Sequence, residues 1–100
     1  MRVIFLAGLM LSVLAAHAQG VSGTVTGEWS DGKTETLVGA NVVWKDTRSG
    51  TLTNEQGKFH IGIPPAAQKL VFFYVGFQAD TIAYTGQKEI NVTLRQAGSG

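Results

Sequence analysis

The segment TNEQGKFHIGIPP, residues 53–65, combines a turn, a strand and a strand terminator. Its part KFHIGI alternates large apolar residues with polar or small ones, and a period of two is typical of a strand with one buried and one solvated face. Gly57 ends the turn before the strand. Pro64 and Pro65 end the strand, because proline has no backbone N–H to donate to the hydrogen-bond ladder of a sheet. We therefore predict a strand over 58–63, with Phe59, Ile61 and Ile63 in the core and His60 facing solvent.

The same alternation recurs through most of the remaining chain, at VSGTVTGE (21–28), NVVWK (41–45), QADTIAY (78–84) and EINVTLR (89–95). The segment KLVFFYV (69–75) is apolar on both faces, which predicts a central strand covered on both sides. Turn signals separate the strands, including Asp-Gly at 31–32 and glycines at 50 and 57 that are expected to need positive φ. The pattern predicts an all-β fold, an antiparallel six- to seven-stranded sandwich of the immunoglobulin or transthyretin type.

The first 18 residues have the organisation of a secretory signal peptide. A single charge at Arg2 precedes an apolar run that is shorter than a membrane span, and Ala16 and Ala18 form a small-residue cleavage site. A buried first helix or a membrane anchor would not explain that ending. We expect cleavage after Ala18, so that Gln19 becomes the first residue, followed by one sandwich domain over 19–95 and a linker or frayed end over 96–100.

The charge balance and the lack of cysteine exclude several classes of function. Loss of the leader removes one of eight basic residues and none of seven acidic ones, which leaves a neutral chain with scattered charges. Such a chain has no electrostatic footprint for nucleic acid or anionic lipid. The absence of cysteine excludes disulfides, thiol catalysis and cysteine-bound zinc, so apolar packing and backbone pairing must stabilise the domain.

His60 is the only histidine outside the leader, and it lies in the polar phase of its strand. A catalytic histidine needs an orienting carboxylate and usually a nucleophile, and a partner here would have to be an acid or hydroxyl on a neighbouring strand. A metal would depend on scattered carboxylates, and no segment matches a calcium-binding loop. We predict no catalytic residue, no metal ligand and no cofactor, and we expect that the protein is not an enzyme.

A row of aromatic residues is the remaining candidate for a ligand site, because aromatic faces can stack on sugars. Trp44 and Phe59 lie in the apolar phase of their strands and are predicted to be in the core. Trp29, beside the Asp-Gly turn, is predicted to be exposed and is the candidate ligand contact. The aromatic residues considered for such a platform are Trp29, Trp44, Phe72, Phe73 and Tyr74.

Residues from about 21 to 95 resemble a carboxypeptidase-regulatory-like domain of the transthyretin-like sandwich type. The pattern comprises V-x-G-x-V at 21–25, L-x-G-A at 37–40, a G-T-x-T-(D/N)-x-x-G-x-F-x-I block at 50–61, and V-G-F at 75–77. The combined spacing is specific, whereas each piece alone is weak. Asn54 stands where the family often has aspartate, and either side chain can close the turn.

The resemblance implies a non-catalytic module, because the zinc and catalytic residues of the carboxypeptidases lie outside this domain. A signal peptide followed by such a domain is similar to the start of TonB-dependent outer-membrane nutrient receptors of Bacteroidota-type Gram-negative bacteria. There the domain lies in the periplasm before a plug and a β-barrel, so the expected partners are the rest of the receptor or the periplasmic transport machinery. The alternatives are a free-standing secreted module that binds carbohydrate or protein, and an enzyme or its accessory domain.

Overall fold

The computed structural model describes residues 20–98, and the expected signal peptide with its cleavage site between Ala18 and Gln19 lies outside this range. Within the range the chain forms strands only. They are β1 (Val21–Glu28), β2 (Thr34–Thr36), β3 (Asn41–Trp44), β4 (Gly50–Leu52), β5 (Lys58–Ile61), β6 (Lys69–Phe73), β7 (Asp80–Ala83) and β8 (Val92–Arg95).

The strands form two four-stranded sheets, and the predicted all-β sandwich is confirmed. In the first sheet the long strand β1 pairs with β5 along its first half, with β2 along its second half, and with β8 on its other side. The second sheet has the order β4-β3-β6-β7. All pairings are antiparallel except β1 with β8, which is parallel because β8 re-enters the first sheet only after the chain has crossed the second.

The core lies between the sheets and follows the period of two. Val21 and Val25 on β1 are buried, and so are Phe59 and Ile61 on β5, while His60 between them is exposed. Trp44 is fully buried and donates its indole N–H to the carbonyl oxygen of Gly62 at 2.7 Å. The buried hydrophobic side chains are Val21, Val25, Leu37, Ala40, Val42, Trp44, Phe59, Ile61, Leu70, Phe72, Ile90, Val92 and Leu94.

Two strands are absent from the sequence-based assignment. β2 is polar and wholly exposed, and β4 is three residues long with two of them exposed, so neither shows an apolar alternation. Each forms because a neighbouring strand presents an open ladder: β2 pairs with β1, and β4 pairs with β3. Backbone pairing, which leaves no signature in side-chain hydropathy, specifies these strands.

The prediction that β6 is covered on both of its faces is wrong. β6 is central in its sheet, between β3 and β7, but only Leu70 and Phe72 face the other sheet and are buried. Phe73 points to the opposite face and is 41% exposed, because no described segment packs there. The strand β5 also ends earlier than predicted, at Ile61, and Ile63 is exposed beyond the end of the β1–β5 pairing.

The turn before β5 is closed by Asn54, whose side-chain oxygen accepts the amides of Gln56 (2.9 Å) and Lys58 (3.0 Å). Gly57 has φ of 74°, as predicted, and a Cβ there would lie 2.6 Å from Cβ of Thr36. The expected positive φ at Gly50 is wrong, because Gly50 is a strand residue of β4. In the connection before β4, Asp46 adopts the left-handed conformation instead, at φ of 63°.

The C-terminal segment is held to the fold beyond β8. The amide of Gln96 donates to the carbonyl oxygen of Glu28 (2.9 Å), and the amide of Ala97 donates to that of Gly76 (2.9 Å). The linker expected over 96–100 therefore differs from the structure at its first two residues. The ordered domain continues to Ala97, where the chain passes the end of β6.

Candidate functional site

The face of the first sheet that points away from the core contains His60 and one direct partner. His60 on β5 stands opposite Ser22 on β1, and a hydrogen bond of 2.7 Å joins Ser22 Oγ to His60 Nδ1. Both side chains are exposed, at the side of an open cleft of about 820 Å³ that also borders Lys88 and Glu89. The sequence did not identify which acid or hydroxyl on a neighbouring strand could be the partner of His60. In the structure this partner is the hydroxyl of Ser22.

A serine–histidine pair suggests nucleophilic catalysis only if a third group orients the imidazole. The other side of the ring lies over Gly20, where a Cβ would be 2.8 Å from Nε2. The nearby carboxylate of Glu89 accepts instead from the side-chain amide of Asn91 at 3.1 Å. Within residues 20–98 the only hydrogen bond of the His60 ring is with Ser22, and the pair has the geometry of a cross-strand contact on a solvated sheet face.

A metal centre finds no support in the part of the chain that the structure describes. Among residues 20–98, no three histidine or acidic side chains lie close enough to hold one ion. The acidic residues Asp31, Glu35 and Glu55 are each exposed. The side-chain oxygen of Asp31 accepts the amide of Lys33 at 3.0 Å, which closes the predicted Asp-Gly turn.

Trp29 lies half-buried at the end of β1, where the Asp-Gly hairpin begins. Its ring meets Phe77 edge-to-face, with centroids 5.1 Å apart, and Phe77 in turn contacts Tyr74 at 5.8 Å. The indole also borders an open cleft of about 480 Å³ lined by Asp31, Lys33, Thr34 and Glu35. Trp29 is thus anchored by other aromatic rings on one side and accessible beside polar groups on another.

The aromatic row considered from sequence does not form one platform. Trp44 and Phe72 are fully buried, as predicted for Trp44, and cannot reach a ligand. Phe73 points to the outer face of the second sheet, whereas Trp29 and Tyr74 lie at the end of the sandwich near Phe77. Strand alternation separates Phe72 from Phe73 because neighbouring residues point to opposite faces.

The last strand, β8, forms an edge of the first sheet. It pairs with β1 on one side, and Lys88, Glu89 and Arg95 around it are exposed. On its other side the described contact is at its end, where the amide of Gln78 donates to the carbonyl oxygen of Arg95 at 2.8 Å. Among residues 20–98, the outer edge of β8 therefore has no strand partner, and charged side chains flank its backbone groups.

Several residues of the G-T-x-T and L-x-G-A patterns serve the fold. Thr53 is buried, and its backbone pairs with Ala40 and Gly39 through the bonds Thr53 N–H to Ala40 O (2.9 Å) and Gly39 N–H to Thr53 O (3.0 Å). Asn54 closes the turn before β5, as described above. No helix among the described residues is both long and apolar enough to cross a membrane.

Comparison with known proteins identifies the family of the domain. The family model described as the CarboxypepD_reg-like domain matches residues 21–99. The chain is 36% identical over 87 residues to TonB-dependent receptor P3 of Formosa agariphila and 33% identical over 75 residues to receptor P39 of the same organism. It is 34% identical over 90 residues to TonB-dependent receptor SusC of Bacteroides thetaiotaomicron. These matches cover 75–90% of this chain but only 7–8% of the length of the relatives.

Proposed function

Because this chain belongs to the CarboxypepD_reg-like domain family, we propose that it is the non-catalytic, periplasmic N-terminal module of a TonB-dependent outer-membrane nutrient receptor. The similarity to three proteins named TonB-dependent receptors, over most of this chain and a small part of theirs, is the observation that supports this proposal best. The function is then to be a folded unit attached to a transporter, whose plug and barrel are the partners.

The distribution of side chains favours a binding module over an enzyme. The recognisable motif residues Thr53 and Asn54 are engaged with backbone, in the core and in a turn. The one serine–histidine pair is exposed and has no described hydrogen bond to a carboxylate. Among residues 20–98 this arrangement supports a role for the sheet faces and strand edges in binding.

The expected signal peptide and the family membership support a periplasmic location in this proposal. Export through residues 1–18 would deliver the domain across the inner membrane ahead of any following receptor sequence. There, the free edge of β8 can accept a strand from a periplasmic partner by backbone pairing. The charges of Lys88, Glu89 and Arg95 would discourage pairing with unrelated strands.

Fractionation of the source bacterium tests the receptor assignment. Antibody against residues 20–98 should detect a chain many times longer than this domain, in the outer-membrane fraction. The epitope should become sensitive to added protease only after the outer membrane has been permeabilised. A short product in the culture medium would contradict the proposal and favour a free-standing secreted module.

The second candidate function is carbohydrate binding, and the cleft beside Trp29 is the observation that favours it. An aromatic ring next to polar side chains can combine stacking with hydrogen bonds to a sugar. In this reading Trp29→Ala abolishes binding on a glycan array, while Phe73→Ala, which removes an exposed aromatic ring from another face, leaves it unchanged. Binding by neither the original chain nor the control variant would reject this candidate.

A further inference from the structure

The outer faces of the two sheets differ in chemistry. On the first sheet the outward-pointing side chains are polar, as with Ser22 and Thr24 on β1 and His60 on β5. On the second sheet, strand register places Val43 beside Val71, and Asn41 between Leu52 and Phe73. Val75 lies in the turn two residues beyond the end of β6. We define the outer apolar patch as Val43, Leu52, Val71, Phe73 and Val75.

This patch is accessible in the isolated domain. Val75 is 89% exposed, Leu52 59% and Phe73 41%. Leu52 lies on β4, Phe73 on β6 and Val75 in the turn after β6. Asn41 lies between Leu52 and Phe73 on this face, so the patch contains one polar side chain. Exposed apolar side chains gathered on one face favour an interaction site, whereas scattered single apolar residues do not. The segment KLVFFYV has the two-faced apolar pattern of a strand with cover on both sides, but the domain itself provides cover on one side only.

The course of the chain indicates what covers the patch. The amide of Ala97 donates to the carbonyl oxygen of Gly76, directly after Val75, and Gln96 forms a bridge with Phe77. The polypeptide is therefore fixed at the end of the outer apolar patch at the point where the described residues stop. More than nine-tenths of the length of the receptor relatives lies outside the part that this chain matches.

We propose that the outer apolar patch docks the receptor sequence that follows Gly98. This inference rests on the proposed function, because it requires that the module is continued by receptor sequence. A segment that leaves beside Val75 reaches Phe73 and Leu52 without a long linker, and the short tether gives it a high effective concentration at the patch. The docked segment buries apolar side chains of its own, and it fixes the orientation of the module relative to the transporter.

Because the chain has no cysteine, single engineered cysteines can report on the patch. The probes are Leu52→Cys and Val75→Cys. The control is Thr93→Cys, an exposed position on β8 of the first sheet, because Lys58 and its neighbours on β5 border the same cleft as Leu52 whereas Thr93 does not. Each variant is made in the 1–100 chain and in the full-length receptor in outer membranes, and its rate of reaction with a maleimide is measured. We expect both probes to react at least ten times more slowly in the receptor, and the control to react at equal rates in both.

Equal rates for the probes in the two settings would overturn the docking proposal, and so would an equal slowing of the Thr93→Cys control. Slow, concentration-dependent labelling already in the 1–100 chain would assign the patch to a second copy and would also overturn it. The size of the labelled band separates this proposal from the receptor assignment. A receptor-length band with fast labelling rejects only the docking, whereas absence of any receptor-length product rejects both.

A second variant tests whether the patch itself causes the protection. Val75→Asp places a charge in the patch at a position whose side chain contributes little to the core, since it is 89% exposed. Combined with Leu52→Cys in the receptor, it should restore labelling to the rate of the 1–100 chain. Persistent protection of Leu52→Cys in this double variant would show that something other than apolar contact shields the face, and would overturn the proposal.

Discussion

The hydroxyl oxygen of Thr53 accepts the amide proton of Ala40 at 2.8 Å. The same hydroxyl donates to the carbonyl oxygen of Leu37, so one buried side chain closes the turn that leads into β3. Threonine is rarely buried without such partners, because an unpaired hydroxyl in the core is costly. The bond extends the β3–β4 pairing, in which Asn41 stands opposite Leu52, into the turn before β3.

Replacement of Thr53 tests this bond. Thr53→Val keeps the shape but leaves the Ala40 amide and the Leu37 carbonyl without their partner, so we expect a loss of about 1–3 kcal/mol in the free energy of unfolding. Thr53→Ser keeps the hydroxyl and should cost less. Urea denaturation of both variants measures the difference, and a valine variant as stable as the serine variant would contradict the role given to the hydroxyl.

Gly23 is required because β1 approaches the segment before β8 closely. A Cβ at position 23 would lie 1.7 Å from the carbonyl oxygen of Ile90 and 3.0 Å from Cε1 of Phe59. The Ile90 backbone is held in place by the bond from its amide to the carbonyl oxygen of Ser22. We expect Gly23→Ala to reduce the free energy of unfolding by about 3 kcal/mol or more. Gly62→Ala is the matched control, since no atom lies within 4 Å of a Cβ there. Similar melting temperatures for the two variants would disprove the close approach.

Neighbouring residues of β5 should differ sharply in their effect on stability. His60→Gln alters an exposed side chain and should change the free energy of unfolding by no more than about 0.5 kcal/mol. Phe59→Ala removes a buried ring that contacts Phe72, with centroids 5.5 Å apart, and should cost about 3–5 kcal/mol. Chemical denaturation provides the comparison. Comparable losses at the two positions would mean that His60 has a structural or functional role beyond its contact with Ser22.

Processing of the N-terminus is a prediction from sequence alone. Cleavage at the small-residue site should leave Gln19 as the first residue of the exported protein. Mass spectrometry of N-terminal peptides from membrane and periplasmic fractions identifies the terminus directly. Recovery of peptides that retain residues 1–18 from exported protein would reject a cleaved signal.

The free edge of β8 makes the proposed contact with the transport machinery measurable. The amides of Ile90 and Gln96 donate to β1, so alternation directs the amide of Thr93 to the opposite edge. Hydrogen exchange at Thr93 should slow when the periplasmic part of the energy-transducing partner is added. Leu94, whose amide faces β1 by the same alternation, is the control and should change little. Unchanged exchange along this edge, with a saturable change around Trp29 on addition of a glycan, would favour the carbohydrate-binding candidate.

Local patterns predicted the features that depend on neighbouring residues. The alternation around Phe59 and His60 was sufficient to assign core and solvent positions, because a strand turns successive side chains to opposite faces. The Asp-Gly turn at 31–32 and the turn closed by Asn54 follow from backbone conformations that those residue types favour. The short polar strand β2 was missed because its stability comes from the ladder that β1 presents.

The period of the strands, the turns between them and the burial of Trp44 can be predicted from local patterns, since these features depend on residues within a few positions of one another. The contact between Ser22 and His60, 38 positions apart, and the parallel pairing of β8 with β1 depend instead on how distant strands assemble. The tertiary structure also decides that Phe73 stays exposed beside the buried Phe72. Apolar side chains favour burial, but the order of the strands decides which surface of the domain is present to cover them.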